Sequence, residues 1–177
     1  MLRYLKGTLD FGLIYKYSDS IDLQGYCDTD WAGDINTRKS TSGYVFGTAG
    51  CSISWRSSKQ SVVALSTTEA EYISLCQATQ EAMPSLFDSM GFDQPKPVVV
   101  YEDNQSTISL AKSGKIHPRM RHVDVKLHYV REAVKDGVVD VRYCPTSEMV
   151  ADIFTKGLTK QTFEKMRKCL GVAQIIK

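Results

Sequence analysis

The run "PVVVYEDN" (97–104) limits the architecture more than any other stretch of the chain. It is a continuous β-branched segment with acids at its C-terminal end. A strand of this kind has no solvent face and belongs in a sheet covered on both sides. Upstream, "TSGYVFGTAGCSISWRSS" reads as two short strands joined by "GTAG", a hairpin with glycines at its turn. Before it, "IDLQGYCDTDWAG" (21–33) reads as a strand ending in a polar, acidic tip, and "GLIYKY" (12–17) as a further short strand. The pattern predicts three consecutive antiparallel strands in the first third of the chain.

Helical periodicity then takes over. Tyr72, Leu75, Cys76, Thr79, Met83, Leu86, Phe87 and Met90 recur at three- and four-residue steps, which predicts one long helix from Ser66 to Met90 with a single apolar face. Pro84 should kink or split it. "QSTISLAKSG" reads as a short helix stopping at Gly114, and "HVDVKLHYVREAVKDG" (122–137) as a helix capped by Gly137. "VVDVRYCPT" (138–146) is another strand, and "SEMVADIFTKGL" and "KQTFEKMRKCLG" are final helical pieces. The order β-β-β-α-β-α-α-β-α predicts an α/β fold, a mixed sheet with helices on its faces. Chemistry in such sheets gathers at the C-terminal ends of the strands.

A chain of 177 residues suffices for one domain with a sizeable core. Hydrophobic content of 42% and charged content of 24% fit a globular protein, and a net charge of +2 neither demands nor excludes a nucleic-acid partner. Five widely spaced cysteines without a CxxC pair argue against a disulfide framework and against a zinc site. Reduced thiols in an intracellular compartment are expected. The N-terminal stretch lacks the apolar core of a secretory signal, and no run reaches the length of a membrane span.

Four acids stand where this topology can bring them together: Asp28 late in a strand, Glu71 early in the long helix, Asp103 at a strand end, and Asp152 in a helix after the last strand. Such a set suits metal-assisted phosphoryl transfer, because Mg²⁺ prefers oxygen ligands and cations relieve carboxylate repulsion. Glu102 and Asp103 are adjacent and point to opposite faces, so one of them can join a cluster on a given face. Asp30 and Asp34 are alternative turn residues. In "STTEAEYISL" both Ser66-x-x-Glu69 and Thr68-x-x-Glu71 match a capping box, so periodicity alone leaves the choice between cap and ligand open.

The blocks "YCDTDWAGD", "RKSTSGYVF", "ISWRSSKQ", "ALSTTEAEY", "YEDNQSTISLAK", "RHVDVKLHYVRE" and "VADIFTKGL" occur in this order. Together they resemble the ribonuclease H domain of copia-type LTR-retrotransposon Pol polyproteins, over nearly the whole chain. The resemblance implies a ribonuclease H-like fold with a five-stranded mixed sheet whose first three strands are antiparallel. It implies cleavage of the RNA strand of RNA/DNA hybrids. It also carries over the Asp–Glu–Asp–Asp set onto Asp28, Glu71, Asp103 and Asp152, leaving Glu69 as the cap. Two Mg²⁺ ions are implied, with Mn²⁺ also acceptable: Asp28, Glu71 and Asp103 would hold one, and Asp28 and Asp152 would share the second.

Candidate contacts to the hybrid are Arg38, Lys39, Arg56 and Lys59 near the hairpin, Asn104 and Gln105 beside the strand end, and Lys112, Lys115, Arg119, Arg121 and Lys126 downstream. Asn104 can equally cap the following helix. Trp31 and Trp55 are expected in the core. The stretch "CPTSEM" lacks the histidine that many cellular ribonucleases H carry before the last acid, and His117, His122 and His128 lie elsewhere.

The resemblance divides the chain into a residual reverse-transcriptase tail (1–19), a ribonuclease H domain (20–157) and a C-terminal helical extension (158–177). It implies the reverse transcriptase domain of the same polyprotein as a partner, no membrane, and a cytoplasmic, virus-like-particle setting. The alternative is a free-standing, non-catalytic derivative that keeps the fold, such as an RxLR-type effector. An integrase-type nuclease is set aside, because it needs its glutamate after the second aspartate.

Overall fold

The computed structural model describes residues 2–17, 22–82, 97–113 and 124–175. In chain order the elements are α1 (Leu2–Lys6), β1 (Phe11–Leu13), β2 (Gln24–Asp30), β3 (Thr41–Thr48), β4 (Cys51–Lys59), α2 (Thr67–Ala82) and β5 (Val98–Glu102). They continue with α3 (Gln105–Ser113), α4 (Asp124–Lys135), β6 (Val139–Tyr143), a 3₁₀ turn (Thr146–Glu148), α5 (Asp152–Thr155), α6 (Lys160–Cys169) and β7 (Val172–Gln174). Five strands form the main sheet in the order β4-β3-β2-β5-β6. β2, β3 and β4 are antiparallel, and β5 joins β2 and β6 in parallel. The expected mixed sheet and its antiparallel first half are both present.

Local chemistry accounts for the turns. Ala49 and Gly50, between β3 and β4, both have positive φ (51° and 73°), the backbone hand that matches a twisted hairpin. Gly137, at φ 66°, ends α4 as expected of a left-handed C-cap.

Alternation sorts the two faces of the sheet. Tyr44 and Phe46 on β3 join Tyr72, Leu75, Val100, Leu127, Val130 and Val141 in the larger core, beneath α2 and α4. Val45, on the other face of β3, packs with Val150, Met166 and Leu170 beneath the C-terminal helices.

Three readings need correction. α2 is buried on nearly every side and not along one stripe, because it lies between the sheet and the helices α3 and α4. Its expected continuation to Met90, with Pro84, lies outside the described residues. Trp31 and Trp55 are about half exposed instead of core residues. Trp31 follows the end of β2 and is tethered by its indole N–H to the Ala64 carbonyl (3.1 Å), while Trp55 sits on the edge strand β4. Finally, β7 pairs antiparallel with β1, so residues 11–13 and 172–174 form a two-stranded ribbon. The sequence pattern predicts only a terminal helical piece ending at Gly171 here.

The five cysteines are free, and all but Cys169 are buried. No helix among the described residues is long and apolar enough to cross a membrane.

Candidate active site

Asp28 is set into the middle of the sheet by its backbone. It stands in register with Gly43 on β3. Its carbonyl accepts from the Ser74 hydroxyl on α2 at 2.8 Å, which ties helix to strand beneath the site. The buried Gln60 adds a second tie, its amide donating to Ser42 Oγ (2.8 Å) and the Ala70 carbonyl (2.9 Å). Gly43 leaves room for α5: a Cβ there would come within 2.7 Å of Thr155 Cγ2 and 2.9 Å of Phe154 Cβ. That close seating brings Asp152 and Thr155 to Asp28. Gly43→Ala is therefore expected to cost about 1–3 kcal/mol of stability by overpacking, measurable by urea denaturation.

The carboxylates converge from separate elements. Asp28, Glu71 and Asp103 each offer an oxygen, and these atoms all lie within 4.8 Å of one another. Asp28 Oδ2 accepts a hydrogen bond from the Thr155 hydroxyl. Asp103 Oδ2 accepts from Thr146 Oγ1 at 2.6 Å. Glu71 Oε2 is buried and takes no hydrogen bond. Asp152 stands beside this triad, linked to it by Lys156, whose ammonium lies 3.3 Å from Asp28 Oδ1 and 3.0 Å from Asp152 Oδ1.

Burial dominates the electrostatics. It pushes the Asp28 carboxyl up to about 6, against the opposing pull of Lys156 and the Thr155 hydrogen bond. Glu71 rises to about 11, first through burial and then through the charges of Glu102, Asp28 and Asp103. Two unit charges 4 Å apart repel by about 4 kcal/mol at an intermediate dielectric. Such a cluster cannot hold its full charge without cations. The donor set is all oxygen, and Glu71 Oε2 lacks a proton donor, so these residues fit a hard divalent cation.

The two glutamates of the opening of α2 separate by geometry. The Ser66 hydroxyl accepts from the Glu69 amide (3.2 Å), and Glu69 Oε2 accepts from the Leu65 amide (2.9 Å). Glu69 is thus engaged at the helix start, while Glu71 faces the other acids. Glu102 is fully buried, accepting from the Asn104 amide (3.1 Å) and from Cys27 Sγ (3.2 Å). It stays outside the triad, yet burial raises it to about 8, and it is the largest charge influence on Glu71.

Asp34 is a turn former, accepting from the amides of Asn36 (2.9 Å) and Thr37 (2.8 Å). Its other oxygen pairs with Lys59. Arg38 is exposed in the same turn, at φ 55°, with Lys39 half-buried beside it. Arg56 and Lys59 are three apart on β4 and so leave opposite faces of that edge strand. Asn104 Oδ1 caps α3 by accepting from the Thr107 amide (3.1 Å), and Gln105 is exposed next to it. Lys112 pairs with Asp140 at 3.3 Å and His128 with Asp124 at 3.4 Å. Arg119, Arg121, Lys115, His117 and His122 lie outside the described residues.

Sequence reasoning missed Lys156, Thr155 and Thr146. Lys156 had a signal: "DIFTK" places it four residues after Asp152, on the same helical face. Thr146 had none, because its contact with Asp103 joins two loops that only the fold brings together.

No protein-family model matches the chain. It is 43% identical over 174 residues to the retrovirus-related Pol polyprotein from transposon TNT 1-94 of Nicotiana tabacum, covering 97% of this chain and 13% of that protein. It is 36% identical over 177 residues to the corresponding polyprotein from transposon RE2 of Arabidopsis thaliana, covering 99% of this chain and 12% of that one. The chain thus spans about an eighth of the length of these relatives. A shorter match, 53% identical over 83 residues, is to the secreted RxLR effector protein 161 of Plasmopara viticola, covering 47% of this chain and 58% of that protein. Among solved structures, LC11-RNase H1 in complex with RNA/DNA hybrid superposes with a TM-score of 0.55 at 16% identity, over 76% of this chain and 94% of that one. That likeness establishes the fold.

Proposed function

We propose that this chain, which belongs to the ribonuclease H domains of copia-type Pol polyproteins, is a divalent-metal-dependent endonuclease that hydrolyses the RNA strand of RNA/DNA hybrids during reverse transcription. The observation that carries this reading is the convergence of Asp28, Glu71 and Asp103 from three separate elements to within 4.8 Å. Asp28, Glu71 and Asp103 would hold one Mg²⁺, and Asp28 and Asp152 would contribute to a second, with Mn²⁺ suited to the same oxygens. Bound there, the ions supply Lewis acidity for activating water and for stabilising charge on the departing oxygen.

The protein's own groups fix the geometry. Thr155 orients Asp28, Thr146 orients Asp103, and burial of Glu71 keeps its carboxylate aimed at the cluster. Arg38, Lys39, Arg56, Lys59, Asn104 and Gln105 are the candidate contacts to sugar and phosphate among the described residues, and Arg119 and Arg121 are candidates outside them. In its polyprotein setting the domain works beside the reverse transcriptase domain.

The purified chain is expected to cut the RNA strand of a labelled hybrid in Mg²⁺, leaving 5′-phosphate and 3′-hydroxyl ends, and to spare the DNA strand and duplex DNA. Addition of EDTA should stop the reaction. Binding of hybrid without cleavage in either Mg²⁺ or Mn²⁺ would sink the enzymatic reading and favour the non-catalytic derivative.

A further inference from the structure

Lys156 occupies a position that the proposed reaction does not use. Its ammonium lies 3.3 Å from Asp28 Oδ1 and 3.0 Å from Asp152 Oδ1, bridging the two acids assigned to the second cation. The pairing differs from an ordinary surface ion pair. The Asp28 side chain is 1% exposed and that of Asp152 is 9%, whereas the lysine side chain is 34% exposed. The carboxylates are therefore buried while the lysine that pairs with them keeps contact with solvent.

The contact is strong in charge and weak in geometry. Lys156 donates one long hydrogen bond to Asp28 Oδ1, and its 3.0 Å contact with Asp152 Oδ1 is an ion pair. An ammonium held by charge on a flexible four-carbon stem is easily displaced. A divalent ion bound to the same two oxygens needs contacts close to 2 Å. The ammonium and the ion cannot share that space.

We propose that Lys156 is a resident counter-cation that occupies the place of the second divalent ion in the metal-free protein and is displaced when that ion binds. It thereby weakens binding at that place and keeps the acids paired between loadings. This inference rests on the reading of Asp28 and Asp152 as cation ligands.

The test needs no substrate. Mn²⁺ binding to the full chain is titrated by calorimetry for wild type, Lys156→Met and Lys156→Arg, with circular dichroism as the folding control. Lys156→Met is expected to bind the weaker Mn²⁺ about tenfold more tightly or better, while Lys156→Arg, which keeps the charge, stays near wild type. A second measurement uses the wild-type chain alone: acetic anhydride labelling read by mass spectrometry, with and without Mn²⁺. Labelling at Lys156 should rise several-fold on Mn²⁺ addition, with the other lysines unchanged.

Unchanged or weaker Mn²⁺ binding by Lys156→Met, or unchanged labelling of Lys156 in Mn²⁺-loaded wild type, overturns the proposal and leaves the metal-site reading intact. If wild type binds no Mn²⁺ at all, both fall.

Discussion

Glu71→Gln is expected to lower metal-dependent cleavage of an RNA/DNA hybrid by about a thousandfold or more, and Glu69→Gln to change it by no more than about threefold. The two residues are neighbours on one helix and have the same side chain, so the contrast isolates position. Glu71 places its carboxylate among Asp28 and Asp103, and one of its oxygens is buried without a donor. Replacing it with an amide removes a charge where the cation must sit. Losses of this order follow when a single preorganised charge-stabilising group is removed. Asp103→Asn should behave like Glu71→Gln, because it supplies the third oxygen of the same set.

Glu69 sits in a different environment. Its carboxylate accepts from the Leu65 amide, and a glutamine can still accept there. The expected cost is under about 1 kcal/mol of stability, with activity preserved. Single-turnover cleavage of a labelled hybrid at saturating Mg²⁺ measures all three. Equal loss in Glu69→Gln and Glu71→Gln would show that integrity of the helix start, and not ligation, governs activity.

How much of this was legible in the sequence depends on the range of the interaction. The hairpin could be read locally, because "GTAG" ends in the two-residue turn Ala49–Gly50, where both residues adopt positive φ. The buried run of β5 was likewise readable from its β-branched residues. The face of α2 was not, since periodicity records an apolar stripe but not burial from several directions at once. β7 is three residues long, too short to leave a pattern, and its partner β1 lies at the other end of the chain.

The site shows the same division. Each acid taken singly reads as a cap, a turn residue or a solvated helix residue. Their convergence is a property of the strand order β4-β3-β2-β5-β6, and only the ordered motif blocks pointed to it beforehand. Lys156 is the instructive omission. Its spacing from Asp152 was visible, but its role depends on Asp28, 128 residues away in the chain.

The same electrostatics make stability depend on pH in an unusual direction. In EDTA the folded protein should become less stable as pH rises from about 5 to about 8, where most proteins change little. The sign follows from Asp28. Its folded value of about 6 lies above the ordinary 3.8, so the folded state holds a proton that the unfolded chain has released. Stability from that proton is complete below the ordinary value and is lost as pH rises through about 6. Over the whole span between those two values the shift corresponds to about 3 kcal/mol, or about 6–12 °C in Tm for a chain of this length, a little under half of it above about pH 5. Glu102, raised to about 8, and Glu71, raised further still, extend the decline upward. Asp34, held low by Lys59, acts only at the acid end and leaves this window untouched. Excess Mg²⁺ should flatten the slope, because the ion binds the charged carboxylates and replaces the proton. Thermal melts followed by circular dichroism across this range, with EDTA and with Mg²⁺, measure both effects. A Tm in EDTA that holds steady or climbs over this range would mean that the acids are not compressed as their burial requires. Glu71→Gln should then be the informative variant, since a neutral amide can be buried there with no proton taken up on folding. It is expected to raise Tm in EDTA near pH 8 and to lose most of the Mg²⁺ response, separating the cost of gathering these acids from the use to which the gathering is put.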